Sequence, residues 1–433
     1  MMDVIFDVMK KYKEVPLEFF GSGHKSTSVD MLSDKIVSSD MSVTKGVGVK
    51  AIVCGRAGFA YTTDASFIER AVKDAIANAK YSELKQDGFP EIQKLKKIKD
   101  IYDPKIYDMS PEELVNFSVK LRESLKVENK DIKVNHSVFE AGSTDNFLVN
   151  SNGISYSAKS TGMSAMVEAV YKDSSGSVSI GTPTIKGFDV CYLSQKAARL
   201  AMSGVGRKNI KSAEQSVVID SDVLESLLEN TLYPSINADM VQKGQSSLAG
   251  KIGQQIGCSG LDIIDSGIVD GGLCSSAFDR DGTMSQETSI MSSGALDSFI
   301  YNHVAASREG KKSTGNASGG FGAMSSILPT NVMLKFSESM KFDKIISEIK
   351  DGIFIYETMG AHTANHITGD FSLSINKGFK IIDGEIAYPV KNAMFAGNVF
   401  ELLKNVSCFG DDVRQSGHLI APTIVFSGQK IVG

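Results

Sequence analysis

Two of the six histidines in this 433-residue chain, His362 and His366, stand four apart in the stretch AHTANHITGDFS, 361–372. On a helix that spacing puts both imidazoles on one face, where they could share a metal ion. The neighbouring residues argue against a helix. Gly360 precedes the pair, while Ile367, Thr368 and Gly369 lead straight into an alternating run that begins at Phe371. In an extended backbone the two side chains would stand roughly 13 Å apart, too far for one zinc bonded at about 2 Å. The stretch is read as a shaped loop entering a strand, and only a tight loop would restore a joint metal role.

Other motif-like stretches carry less chemistry. FGSGHKST, 20–27, has the flavour of a phosphate loop, but His24 stands where glycine must precede the lysine, so a solvent-exposed turn is expected. DRDGT, 279–283, resembles the start of a calcium loop. It has only Asp279 and Asp281 before Gly282, and Thr288 stands where the bidentate glutamate belongs, so a turn between strands is expected. No H-E-x-x-H and no G-x-S-x-G occurs. Cys54, Cys191, Cys258, Cys274 and Cys408 are scattered without a CxxC pair. They are expected to be reduced and mostly buried, although a nucleophile's partners can meet in space rather than in sequence.

The bulk numbers set the frame for these residues. A net charge of -5 and a pI near 5.8 give no basic footprint for nucleic acid. No apolar run is long enough to span a membrane. MMDVIFDVMKKYKEV carries Asp3 and Asp7 among its apolar positions, which implies an amphipathic helix rather than a signal peptide and hence a cytoplasmic protein.

The elements that must position the chemistry fall into two groups. VPLEFFGSG and GVGVKAIVCGRAGFAYTT read as strands, and STSVDMLSDKIVSSDMSVTK between them could supply two more. SFIERAVKDAIANAKYS has helical spacing, with Ile68, Val72, Ala75, Ile76 and Ala79 on one face. SPEELVNFSVKLRESLK begins with a capping box of Ser110 and Glu113. Asn152-Gly153 and Asp383-Gly384 are hairpin signals. The polar stretch 209–215 places a boundary near residue 213. The expected architecture is α+β: an N-terminal α/β domain with antiparallel strands and helices, 1–213, and a mainly-β, barrel- or sandwich-like domain, 214–433. FDKIISEIKDG is the one helix expected late in that second domain.

The segment 359–398, MGAHTANHITGDFSLSINKGFKIIDGEIAYPVKNAMFAGN, resembles the TldD/PmbA (modulator-of-gyrase) family, in particular its PmbA/TldE-like branch. The resemblance rests on His362, Asn365, Thr368 to Ser372, Asp383 to Ile386, Tyr388 to Val390 and Ala396 to Asn398. KGQSSLAGKIGQQIG, FDRDGT and the closing APTIVFSGQKIVG follow the family's order, and GVGVKAIVCGRAGFAYTTD fits its opening region.

This resemblance implies a cytosolic peptide-cleaving system. Its TldD subunit binds zinc through an H-E-x-x-x-H helix and a later cysteine, and its TldE subunit pairs with TldD but lacks the metal site. Counting back from KGQSS places the three motif positions on Glu229, Asn230 and Pro234. Ligand, base and second ligand are thus replaced, and proline there would break the presenting helix. The cysteine ligand is also missing, although His418 falls in the shortened stretch. His366 stands where relatives commonly carry proline.

The leading expectation is a non-catalytic TldE-like subunit without a cofactor. It would bind extended peptide beside a zinc-bearing TldD-like homologue, with His362, Asn365, Gly369 and Asp370 as peptide- or partner-facing residues. The alternatives are an autonomous metallopeptidase with a site rebuilt from His362, His366 and His418, and a homodimeric peptide-binding adaptor. The composition offers nothing in favour of a nucleic-acid partner.

Overall fold

The computed structural model describes residues 1–337 and 339–433. A short amphipathic helix, α1 (Met2–Lys11), leads into β1 (Leu17–Leu32), β2 (Lys35–Val53), β3 (Arg56–Thr62) and α2 (Ile68–Ala79). After α3 (Pro104–Tyr107) and α4 (Pro111–Glu128) the same series recurs as β4 (Lys133–Asn150), β5 (Ser155–Tyr171), β6 (Ser174–Thr182) and α5 (Val190–Ser203). The six strands form one antiparallel sheet in the order β3-β2-β1-β4-β5-β6.

The two halves of this sheet match in register as well as in order. Val47 pairs with Thr62 and Val53 with Arg56, and at equivalent places Ala165 pairs with Ile180 and Tyr171 with Ser174. Each half seats its helix on a glycine. A Cβ on Gly58 would lie 2.1 Å from Ala75 O, and one on Gly176 would lie 2.6 Å from Ala197 O. Only hydrogen fits between strand and helix at these points. The repeat is far longer than a solenoid period, and apolar spacing alone does not reveal it.

FGSGHKST is not a turn. It lies inside β1, with His24 paired to Thr44 on one side and Thr144 on the other. Gly21 is there because the Phe147 ring fills the space a side chain would take, 1.9 Å from an ideal Cβ. Glycine here marks close packing within a sheet rather than a bend.

β7 (Ala213–Ile219) opens the second half, followed by α6 (Ser221–Asn230) and α7 (Leu232–Ile236). β7 pairs parallel with the strand Asp351–Met359 and antiparallel with the last strand, Ile424–Val432. Through the strands Asp370–Ile382 and Ala393–Asn398 this closes a β-barrel. A second, six-stranded sheet runs from Ala295–Leu296 to the edge strand Arg414–Ser416. One continuous core joins the two, from Ile355, Leu373 and Phe426 in the barrel to Ile263, Ile290 and Val332 in the sheet. The chain is α+β, with a mainly-β second half. Asp383 and Gly384, at φ 48 and 84, make the expected hairpin turn, and Ser110 and Glu113 cap α4 reciprocally. The expectation of one late helix fails: His303–Arg308 and Val399–Lys404 are also helical, capped by Asn302 and Asn398. Each is too short to leave a periodic signature. The cysteines also differ from expectation, since Cys54 is exposed and the other four are partly exposed rather than buried.

Charged residues lock the two halves together. Lys50 Nζ, on β2, lies 3.0 Å from Glu18 Oε1 on β1 and 3.0 Å from Asp281 Oδ1 in the second half. Arg280 lies 3.5 Å from Glu18 and stacks 4.1 Å from the centre of the Phe20 ring. All four charged groups are at most 4% exposed. Burial works against the Lys50 ammonium, but Asp281 and Glu18 outweigh it and raise its pKa. Replacing Lys50 with Met leaves two buried carboxylates facing one another. That substitution is expected to cost about 3–5 kcal/mol in urea unfolding; a loss below about 1 kcal/mol would show that the cluster does not hold the halves together.

Candidate functional site

α6 starts on Asp220, whose carboxylate accepts from Asp222 N at 3.0 Å and is ion-paired to Arg414. The helix runs to Asn230 and stops at Thr231, where ψ is -69 and φ is -133. α7 then begins afresh. Pro234 has no N–H to give the carbonyl of Asn230, so one continuous helix across this point would lack that bond. Glu229 is exposed, and Asn230 is occupied locally, its amide donating to Ser226 O at 2.8 Å. Pro234 offers no ligand atom. These three positions therefore present no convergent set of donors.

The loop that carries His362 and His366 packs beside this break. A 3-10 turn, Ala361–Thr363, follows Gly360 at φ 103. Asn365 then accepts from the N–H groups of Ile367 at 2.9 Å and Thr368 at 3.2 Å, a side-chain turn that fixes the loop. Asp370 accepts from Thr368 Oγ1 and Asn398 Nδ2, and these bonds hold its carboxyl below the usual carboxylate range. Gly369, at φ 84, leaves room for Phe400, which would lie 2.8 Å from a Cβ. Asn365, Gly369 and Asp370 thus shape the loop, whereas His362 and His366 are exposed. The loop is tied to the helix break through Ser235 Oγ, which donates to His366 O at 3.2 Å. Among the described residues, no three of His, Cys, Asp or Glu gather as a metal-holding group, so His362, His366 and His418 do not form one.

What does gather near the break is a polar cluster that no local motif announces. Glu225, on the buried side of α6, accepts from Tyr233 Oη and from His418 N at 2.8 Å. Burial raises its carboxyl. Gly417, at φ 55, makes this approach possible, since a Cβ there would meet Glu225 Oε1 at 2.6 Å. The His418 ring has Nδ1 2.9 Å from Thr330 O, and the Cys274 thiol donates to Gly417 O at 3.8 Å. Asp265, buried, accepts from Thr330 N at 2.6 Å and from Asn316 Nδ2 at 2.7 Å. Burial raises Asp265 as well. A carboxylate among Val223, Leu224, Leu227 and Leu228 was the one sequence signal for this cluster.

Two clefts meet at the loops that carry the cluster. One, of about 300 Å3, is lined by Cys274, His418, Asn316 and Arg280. The other, of about 630 Å3, lies between the open edge of β6, at Ser179 to Thr182, and the edge strand Arg414–Ser416. Asp189, Lys196, Asp222 and Arg414 supply charge around it.

Comparison with known proteins adds four findings. Residues 17–79, 104–216 and 212–433 match the PmbA/TldA metallopeptidase domain 1, central domain and C-terminal domain. An uncharacterised protein of Methanocaldococcus jannaschii is 34% identical over 408 residues, covering 93% of each chain. A Thermotoga maritima structure, named as a modulator of a DNA gyrase, aligns over the whole of both chains with 26% identity and a TM-score of 0.92. TldE of Thermococcus kodakarensis shares the fold, with a TM-score of 0.91 over 100% of both chains at 21% identity. Among the described residues no helix is long and apolar enough to cross a membrane.

The cluster makes stability depend on pH through His418. Burial disfavours its imidazolium, but the neighbouring Cys274 and the groups around it outweigh burial and raise it to about 9. The unfolded value is about 6.5, so the native state holds an extra proton between these limits. The stabilisation is complete below about pH 6.5 and is lost as pH rises through about 9, by on the order of 1–3 kcal/mol. Urea midpoints measured across that window should fall for the wild type and fall less for His418→Asn; parallel curves would refute this assignment.

Proposed function

Because the chain belongs to the PmbA/TldA metallopeptidase (TldD/PmbA) family, we propose that it is a TldE-like subunit that binds extended peptide without hydrolysing it, beside a zinc-bearing TldD-like homologue. The observation that carries this reading is the break between α6 and α7. A zinc hydrolase needs protein ligands around an open position and a base for the water. The positions that correspond to the family motif hold an exposed Glu229, an Asn230 bonded to its own helix and a Pro234.

The larger cleft supports the peptide part of the reading. β6 ends the first sheet and Arg414–Ser416 ends the second, so among the described residues each leaves one side of its backbone without a strand partner. Both edges line the same cleft of about 630 Å3. An extended peptide entering there can add to an edge through main-chain hydrogen bonds, which supply affinity without demanding a particular sequence. A cytoplasmic location fits such a role.

Co-expression with a family member that retains H-E-x-x-x-H tests the proposal. A stable complex of the two chains is expected. Peptide cleavage should depend on the homologue's zinc and should drop at least about tenfold when this chain is omitted. Cleavage by this chain alone, or undiminished cleavage by the homologue without it, would overturn the reading.

A further inference from the structure

The barrel strand Asp351–Met359 sends Ile353 and Ile355 into the core, which turns Phe354 and Tyr356 to its other face. Phe354 pairs in register with Phe379 of the next strand, their ring centres 6.2 Å apart and the planes 27° from parallel. Phe342, at the start of the helix Phe342–Glu348, adds a ring 5.2 Å from Phe354. A floor of four aromatic rings ordinarily receives a helix with an apolar stripe, and the gap closes. Here α5 faces the rings across a cavity of about 690 Å3, and it lines that cavity with Gln195, Lys196 and Arg199 beside Leu200.

The charges around the cavity are unevenly matched. Arg414 is engaged by Asp220 and, at 2.9 Å, by Asp222. Asp412 accepts from Thr423 N at 3.0 Å and from Thr423 Oγ1 at 2.7 Å. Among the described residues Lys196 and Arg199 form no ion pair. Lys196 Nζ instead rests over the rings of Tyr356 and Tyr192, 5.2 and 5.9 Å from their centres. Tyr356 is only 7% exposed, and among the described residues its hydroxyl has no hydrogen-bond partner. A buried phenol left without a partner costs stability, so a site that keeps one is fitted to an acceptor. Burial and the carboxylates of Asp220 and Asp222 push this phenol up, so it stays a donor.

We propose that this cavity binds a small aromatic carboxylate, its ring laid on Phe354 and Phe379 and its charge met by Lys196, with the Tyr356 hydroxyl beneath as a second donor. The volume is that of a site for one small molecule. Ring contacts supply affinity, and the ammonium selects an acid over a neutral analogue. The site stands independently of peptide binding in the neighbouring cleft, although Tyr192, Lys196 and Arg414 line both. An acid bound here engages a cation that the peptide cleft also faces.

The test uses the full chain with indole-3-propionate and 2-naphthoate as probes. The chain has no tryptophan, so indole fluorescence reports the ligand alone. Saturable binding of about one equivalent, with Kd below about 1 mM, is expected for at least one of the two acids. Indole-3-propionamide, which lacks the charge, and hexanoate, which lacks the ring, should each bind at least about tenfold more weakly. Lys196→Gln should weaken the acid at least about tenfold. Phe354 and Tyr356 line this cavity and not the peptide cleft, so Phe354→Leu and Tyr356→Phe locate the site, each weakening the acid about threefold or more. No saturable binding of either acid, or equal binding of the amide, overturns the proposal. So does an affinity unchanged by Lys196→Gln, or unchanged by both Phe354→Leu and Tyr356→Phe. Should a variant fail to fold by circular dichroism, the remaining variants and the acid–amide comparison on the wild-type chain decide.

Discussion

Everything distinctive about this molecule depends on a charge buried where its two halves meet. Lys50 sits between Glu18, its neighbour on the sheet, and Asp281, which arrives from the second half of the chain. Ions this far from water persist only when each is paired at close range. The pairing fixes the turn 279–283, where Asp279 itself accepts from the N–H groups of Asp281 at 3.0 Å and Thr283 at 2.8 Å. Burial and the neighbouring Asp281 push Asp279 up to about 8. The same stretch of chain, a few residues earlier, supplies Cys274 to the cleft, and Arg280 forms part of its wall. The ion cluster is therefore what sets the distance between the sheet and the loops that face it.

With that distance fixed, the second half can present a site built from backbone edges and a polar cluster rather than from a metal-binding helix. A helix carrying ligands at i and i+4 must stay continuous across them. Here it stops at Thr231, and the space beside the break is organised by Glu225, Tyr233 and His418. The 361–372 loop belongs to the same region. Asn365 turns its backbone, and Asp370 pins it to Asn398.

Legibility from sequence followed the range of the interactions. Features settled within a few residues could be read: the capping box of Ser110 and Glu113, the turn at Asp383-Gly384 and the amphipathic faces of α1 and α2. The family could be read from the 359–398 segment. Glycine misled where it serves packing across strands, as at Gly21 in FGSGHKST, because the ring that requires it lies on another strand. The cluster around His418 was out of reach for the same reason. Glu225, Asp265, Cys274, Thr330 and His418 come from five separate segments, and only the fold brings them together. The turn of DRDGT was foreseen, but its burial against Lys50 was not.

The central claim is that this chain holds peptide without carrying the hydrolytic metal centre. It is tested most directly by measuring the metal content of the protein, purified alone without chelators, together with its action on an unfolded polypeptide. The account predicts zinc well below about 0.1 equivalent per chain and an intact polypeptide. About one equivalent of zinc, with cleavage lost on chelation and restored by zinc, would contradict it.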